Sequence, residues 1–227
     1  MFKKLKIKKY KNYNSGMTLI ELLVVLGIFA LISGITMFDY NGFRSSVSLQ
    51  NLSDDVALSI RKAQSYAIGA KSTTASTSDD AFKKGYGIHF SQNTSNEFVI
   101  FSDVSDYKKY NSNSTSDSCG IDINTSNECL EKLRINLSSG DKILGFTYGD
   151  NNTEVIAENL DITFIRPNPD ATFCFYDDIG DQCKTPESTS SKVGIIISNK
   201  DEDNRKLIYV TILGKISIQN NYLPQSE

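Results

Sequence analysis

Residues 16–38 read GMTLIELLVVLGIFALISGITMF, a nearly unbroken apolar run that carries one carboxylate, Glu21. At a rise of ~1.5 Å per residue, a helix of this length matches the ~30 Å hydrocarbon core of a bilayer. The preceding MFKKLKIKKYKNYNSG (1–16) has six lysines and no acid. By the positive-inside rule these lysines hold their end in the cytoplasm, so the bulk of the chain faces outward. A secretory signal peptide has an apolar core of ~7–15 residues followed by a small-residue cleavage site. Here the run is longer and continues as MFDYNGFRSS, so the segment reads as retained rather than discarded. An acid at the centre of a span costs ~2.5–3.5 kcal/mol and is functional by default. Glu21 lies near the cytoplasmic end, where that cost falls, and a tolerated interfacial acid is the plain alternative to a functional one.

Beyond the run, Asp39–Gly42 is a weak spot for a helix, because Asn and Gly are poor helix formers. Leu49, Leu52, Val56, Ile60, Ala63 and Ala67 then recur at spacings of three and four. They predict one apolar stripe on an amphipathic helix, with Ser53, Asp54, Arg61 and Lys62 facing elsewhere. Unbroken from Met17 to Ala70, such a helix would be about 80 Å long. KSTTASTSDD (71–80) reads as a loop. Short β-patterned runs follow at 86–90, 97–101, 133–137, 142–148, 153–157, 160–166, 171–177 and 193–198, then a closing hairpin, RKLIYVTI and KISIQ. Two long polar insertions, 105–120 and 177–192, interrupt them. The expected organisation is a basic leader (1–16), a membrane helix (17–38), its amphipathic continuation (39–70) and a β-rich head (71–227). The continuation and the head form one domain.

The 227-residue chain has a formal charge of −3, and removing the leader's six lysines takes it to −9. That sign argues against a generic nucleic-acid surface, which needs clustered Lys and Arg. Four cysteines, Cys119, Cys129, Cys174 and Cys183, lie beyond the apolar run, as disulfides in an oxidising space would. Of three connectivities, Cys119–Cys129 and Cys174–Cys183 each bracket a short polar loop. A zinc site is the competing reading, but C-x₂₋₄-C spacing is missing. The single histidine, His89, sits between Ile88 and Phe90 and reads as structural. Neither a nucleophile–base arrangement nor a glycine-rich phosphate loop is present, so no catalytic residue and no cofactor is assigned. Acid clusters at 150–152, 177–181 and 201–203 could offer calcium hard oxygens. None has EF-hand spacing, so solvated loop acids are the better reading and no metal site is assigned.

The residues G-MTLIELL resemble the type IV prepilin signature, usually G-FTLIELL, found in type IV pilins and the pseudopilins of type II secretion. The resemblance implies an α+β, pilin-like fold, with a long N-terminal helix packed on an antiparallel β head. It implies cleavage between Gly16 and Met17 by a prepilin peptidase, methylation of the new amino group, and retention of the helix. Glu21, fifth in the mature chain, would pair with the amino terminus of a neighbouring subunit. The implied partners are the peptidase, other pilin or pseudopilin subunits, an inner-membrane assembly platform and the lipid bilayer. Met17 departs from the usual phenylalanine. Looser likenesses to GspH/FimT-type minor pilins lie in residues 49–71, in KGYGIHF (84–90) and in the closing hairpin. DNA-uptake members of that group resemble DNA binders through a basic C-terminal tail. QNNYLPQSE (219–227) lacks Lys and Arg, which disfavours nucleic-acid binding.

Overall fold

The computed structural model describes residues 16–69, 84–105, 108–111, 119–120, 123, 127–135, 139–149, 151–165, 170–177, 182–184 and 191–222. Helix α1 spans Leu19–Ile68 without interruption. The expected weak spot at 39–42 remains helical, because one Asn and one Gly cost only ~1 kcal/mol each against an already nucleated helix. The chain divides into two compact units between Phe43 and Arg44.

In the first unit every described side chain from Met17 to Ile32 is exposed. The helix is long and apolar enough to cross a membrane. Apolar groups are presented all round, as a helix solvated by lipid or by other apolar helices requires.

In the second unit the predicted stripe is the buried face of α1, with Val56, Ile60 and Ala63 fully inaccessible. Ser53 is buried too, contrary to expectation. Its hydroxyl donates to the Gln50 carbonyl at 2.7 Å, so the polar atom is satisfied within the helix and needs no water. The remaining elements are β1 (Gly85–Ser91), β2 (Glu97–Asp103), β3 (Cys129–Arg134), β4 (Lys142–Tyr148), β5 (Thr153–Val155), β6 (Asn159–Phe164), β7 (Ala171–Tyr176), β8 (Lys192–Ser198), β9 (Arg205–Thr211) and β10 (Ile216–Asn220).

These strands form two five-stranded antiparallel sheets, ordered β3-β2-β1-β6-β7 and β10-β9-β8-β4-β5. The two are not a plain meander, since the chain leaves the first sheet for β4 and β5 and returns for β6 and β7. In the first sheet Ile88 pairs with both Ile100 and Ile162, and all three are fully buried. The second sheet contributes Val193, Ile195, Ile197, Ile208 and Val210 to the same core as the helix stripe. A smaller cluster, Ile196, Leu207 and Tyr222, covers the other face of β8 and β9.

Strands β3 and β5 depart from the sequence pattern in informative ways. Strand β3 begins at Cys129 and ends at Arg134, whereas hydrophobicity suggested 133–137. As an edge strand it tolerates charges, and Lys132 pairs with Glu97 of β2 at 3.3 Å. Strand β5 ends at Val155, and Ile156 beyond it is fully exposed.

Candidate processing and assembly site

Met17 precedes the helix and Thr18 caps it. The Thr18 hydroxyl accepts a hydrogen bond from the Glu21 backbone N–H at 3.3 Å, and the Thr18 carbonyl accepts one from Leu22 N–H at 3.1 Å. T-x-x-E is thus also a capping-box spacing, which places the carboxylate three residues past the cap, in the first helical turn. There the helix dipole favours negative charge. Reading Glu21 only as an awkward acid in a span misses this, although the Thr–Glu spacing was visible in the sequence. Gly16 lies just outside the helix. A Cβ built on it would meet nothing within 4 Å, and its backbone is not in the left-handed region. Packing of the described residues therefore makes no demand for glycine there.

Residues 11–37 match the family model of the prokaryotic N-terminal methylation motif. The chain carries a type IV prepilin-type signal. This pilin-like chain shows no significant similarity to any curated protein or solved structure. The motif implies processing by a prepilin peptidase and assembly with other pilin subunits, and with the apolar helix it fits a membrane-anchored pilin. Proteins with this motif are structural subunits rather than enzymes.

The head carries a second cluster, on the face of the first sheet turned away from the core. Asn159, Asp161 and Thr163 alternate with Leu160, Ile162 and Phe164 along β6, so one face is apolar and the other polar, and both are buried. Asp161 accepts from the Tyr110 backbone N–H at 2.7 Å and from the Tyr176 hydroxyl at 3.0 Å, and it contacts His89 Nδ1 at 2.7 Å. The His89 and Tyr110 rings lie 4.8 Å apart, and Lys109 Nζ sits 3.9 Å from the centre of the Tyr176 ring. Burial, then the Asp161 charge, pushes the Tyr176 phenol well above its usual range. Next to this network Glu128, fully buried, accepts from Ser105 N–H and Oγ–H, both at 2.8 Å, and from Asn111 N–H at 2.9 Å. Desolvation pushes its carboxyl up to about 7 against the opposing pull of those donors, with the nearby Asp103 charge adding to the rise. This arrangement fastens Ser105, Tyr110 and Asn111 to the sheet. The alternation N-L-D-I-T-F was legible in the sequence, but the partners from 105–128 were not.

The cysteines pair as Cys119–Cys129 and Cys174–Cys183, with Cα separations of 4.9 and 5.1 Å. The first bridge ends at the start of β3. The second brings Lys184 back to exchange two backbone hydrogen bonds with Phe175 of β7. Of the acid clusters, Asp150, Asp178 and Asp181 lie outside the described residues. Asp177 pairs with Lys184 at 3.0 Å, and Glu202 with Lys142 and Arg205. Among the described residues no group of three or more acidic, cysteine or histidine side chains is placed to hold a metal.

Proposed function

We propose that this chain is a minor pilin or pseudopilin, cut between Gly16 and Met17, methylated at Met17 and built into a type IV pilus or type II secretion-like filament. Residues 1–16 are the leader, 17–38 the filament-core helix, 39–70 its continuation, and 71–227 complete a head that faces out of the cytoplasm. The observation carrying this reading is the junction at residues 16–21. A glycine that local packing does not require stands directly before a side-chain-capped helix whose first half is apolar on every side. A peptidase that needs glycine at the cut accounts for the first feature, and a retained helix accounts for the second. Glu21 then receives the amino group of a neighbouring subunit. In a low-dielectric core the pair fixes register, whereas either charge alone is costly.

Co-expression with a prepilin peptidase, followed by intact-mass measurement, tests this. The chain is expected to lose sixteen residues and gain a methyl group, and Gly16→Ala to block both. A mature terminus elsewhere refutes the processing claim. Glu21→Ala is expected to be cleaved normally yet enter filaments at least tenfold less than wild type. Equal incorporation sinks the charge-pairing role alone.

A further inference from the structure

A cavity of about 250 Å³ opens between α1, the start of β9 and the end of β10. Asn204, Arg205 and Lys206 line it from the β9 side, and Asn220 and Asn221 from the β10 side. Helix α1 adds Ser46, Gln50 and a single apolar residue, the buried Leu49. The lining therefore holds two cations, four carboxamides and no acid. Asn221 has a φ of 54°, which turns the chain so that Tyr222 N–H donates to the Arg205 carbonyl at 3.0 Å. The acids around the cavity are already engaged. Gln50 stands between Lys206 and Asp54, its Oε1 accepting from Lys206 Nζ and its Nε2–H donating to Asp54 Oδ2 at 3.0 Å. Asp203 accepts from Asn199 and Asn204. Glu202 gives one oxygen to Lys142 at 2.5 Å, and its other lies 3.7 Å from Arg205 Nη2. Lys206 thus meets an amide where an ion pair would need a carboxylate. Burial pulls its ammonium below the usual lysine range in spite of the Asp54 charge, so this cation is incompletely compensated.

We propose that this cavity takes a phosphate group, carried by a lipid headgroup or free in solution. Lys206 and Arg205 supply the charge, and Asn220 and Asn221 supply further N–H donors. Lysine and arginine heads are donors only, and charge-assisted bonds to phosphate are among the stronger ones. Donors reach the space from three elements, which suits the tetrahedral oxygens of phosphate better than the two oxygens of a planar carboxylate. A metal cation finds no carboxylate in the lining, and a nucleobase finds no ring to stack on. The proposal concerns residues of the head alone and does not rest on processing or filament assembly.

The test uses the ¹⁵N-labelled full chain in maltoside micelles, titrated with sodium phosphate and, separately, with sodium acetate at matched ionic strength. Saturable shifts of the Asn220 and Asn221 side-chain amides are expected with phosphate and not with acetate. Lys206→Met is expected to weaken phosphate binding at least tenfold. Asn221→Asp keeps a residue type that tolerates the left-handed conformation and places a negative charge in the lining. It is expected to weaken binding at least as much, which keeps the test decisive if Lys206→Met fails to fold. Micelles doped with phosphatidylglycerol, compared with micelles doped with diacylglycerol, identify the source of the phosphate. Shifts of the same amides by the phospholipid and not by diacylglycerol support a headgroup, and shifts by inorganic phosphate alone support a free anion. Equal response to phosphate and acetate, wild-type affinity in either variant, or no shift with phosphate or phospholipid overturns the proposal.

Discussion

Replacing Glu128 by glutamine should change how the stability of the head depends on pH, and the sign follows from its surroundings. Burial raises the folded carboxyl from an ordinary 4.5 to about 7, more than its three donors lower it. An acid whose folded value is raised favours the folded state while it is protonated. Its contribution is fully present below about pH 4.5 and is lost as pH rises through about 7. With ~1.4 kcal/mol per unit, the full shift corresponds to about 3 kcal/mol, an upper figure for this one group. Glutamine cannot ionise. Its oxygen still accepts from Ser105, but its NH₂ would face the Asn111 N–H, a penalty that does not vary with pH. Wild-type stability minus that of Glu128→Gln should therefore fall by about 1–3 kcal/mol between about pH 4.5 and 7.5. Urea unfolding of the full chain in micelles, followed by tyrosine fluorescence at four pH values, measures this difference. Tyrosine is a usable probe because the chain has no tryptophan and eight of its eleven tyrosines lie beyond Arg44. A difference constant to within about 0.5 kcal/mol across the range would mean that desolvation does not dominate at Glu128, and the argument fails.

Two further outcomes concern packing. A Cβ on Gly87 would lie 2.6 Å from the Phe101 ring and 2.8 Å from the Ile162 carbonyl, so Gly87→Ala should destabilise the head by about 1–3 kcal/mol in the same urea assay. Stability equal to wild type would show that the Phe101 ring is not confined there. Ile60→Ala, at a fully buried stripe position, should cost about 2–5 kcal/mol, whereas Leu58→Ala, on the exposed face, should stay within about 0.5 kcal/mol. Similar losses at both sites would contradict the helix orientation.

The helix stripe was legible because burial on one face of a helix leaves a periodic trace that side-chain chemistry alone reveals. Leu49, Leu52, Val56, Ile60, Ala63 and Ala67 are all buried. The strand runs were legible for the same reason at period two, and short bracketing loops pointed to the two disulfides. What escaped was whatever depends on partners distant in sequence. Nothing local in CLEKLR announces an edge strand, because Lys132 meets Glu97 on the neighbouring strand and Glu131 meets Lys62 on α1. Splitting the described strands into two sheets is likewise a matter of which runs pair, and alternation does not encode pairing. At the processing site the Thr18–Glu21 cap was written in the sequence but was overshadowed by the charge it carries. Nor does any pattern link Ser48 of α1 with Asp141, which lie 93 residues apart.

The order in which the chain visits the sheets has a kinetic consequence. Strand β1 pairs with β6 and β4 with β8, so β4 and β5 must be set aside while the first sheet waits for residues 159–176. Loop closure of this span must come before either sheet can gain from its central pairings, a topology that folds slowly among domains of similar stability. Of the first sheet, the β1–β2 and β6–β7 hairpins can each close from neighbouring sequence, but the β1–β6 pairing that joins them is distant. The head should therefore gain its stability late and nearly all at once, leaving the apolar surface of α1 without its sheets until most of the chain has been made.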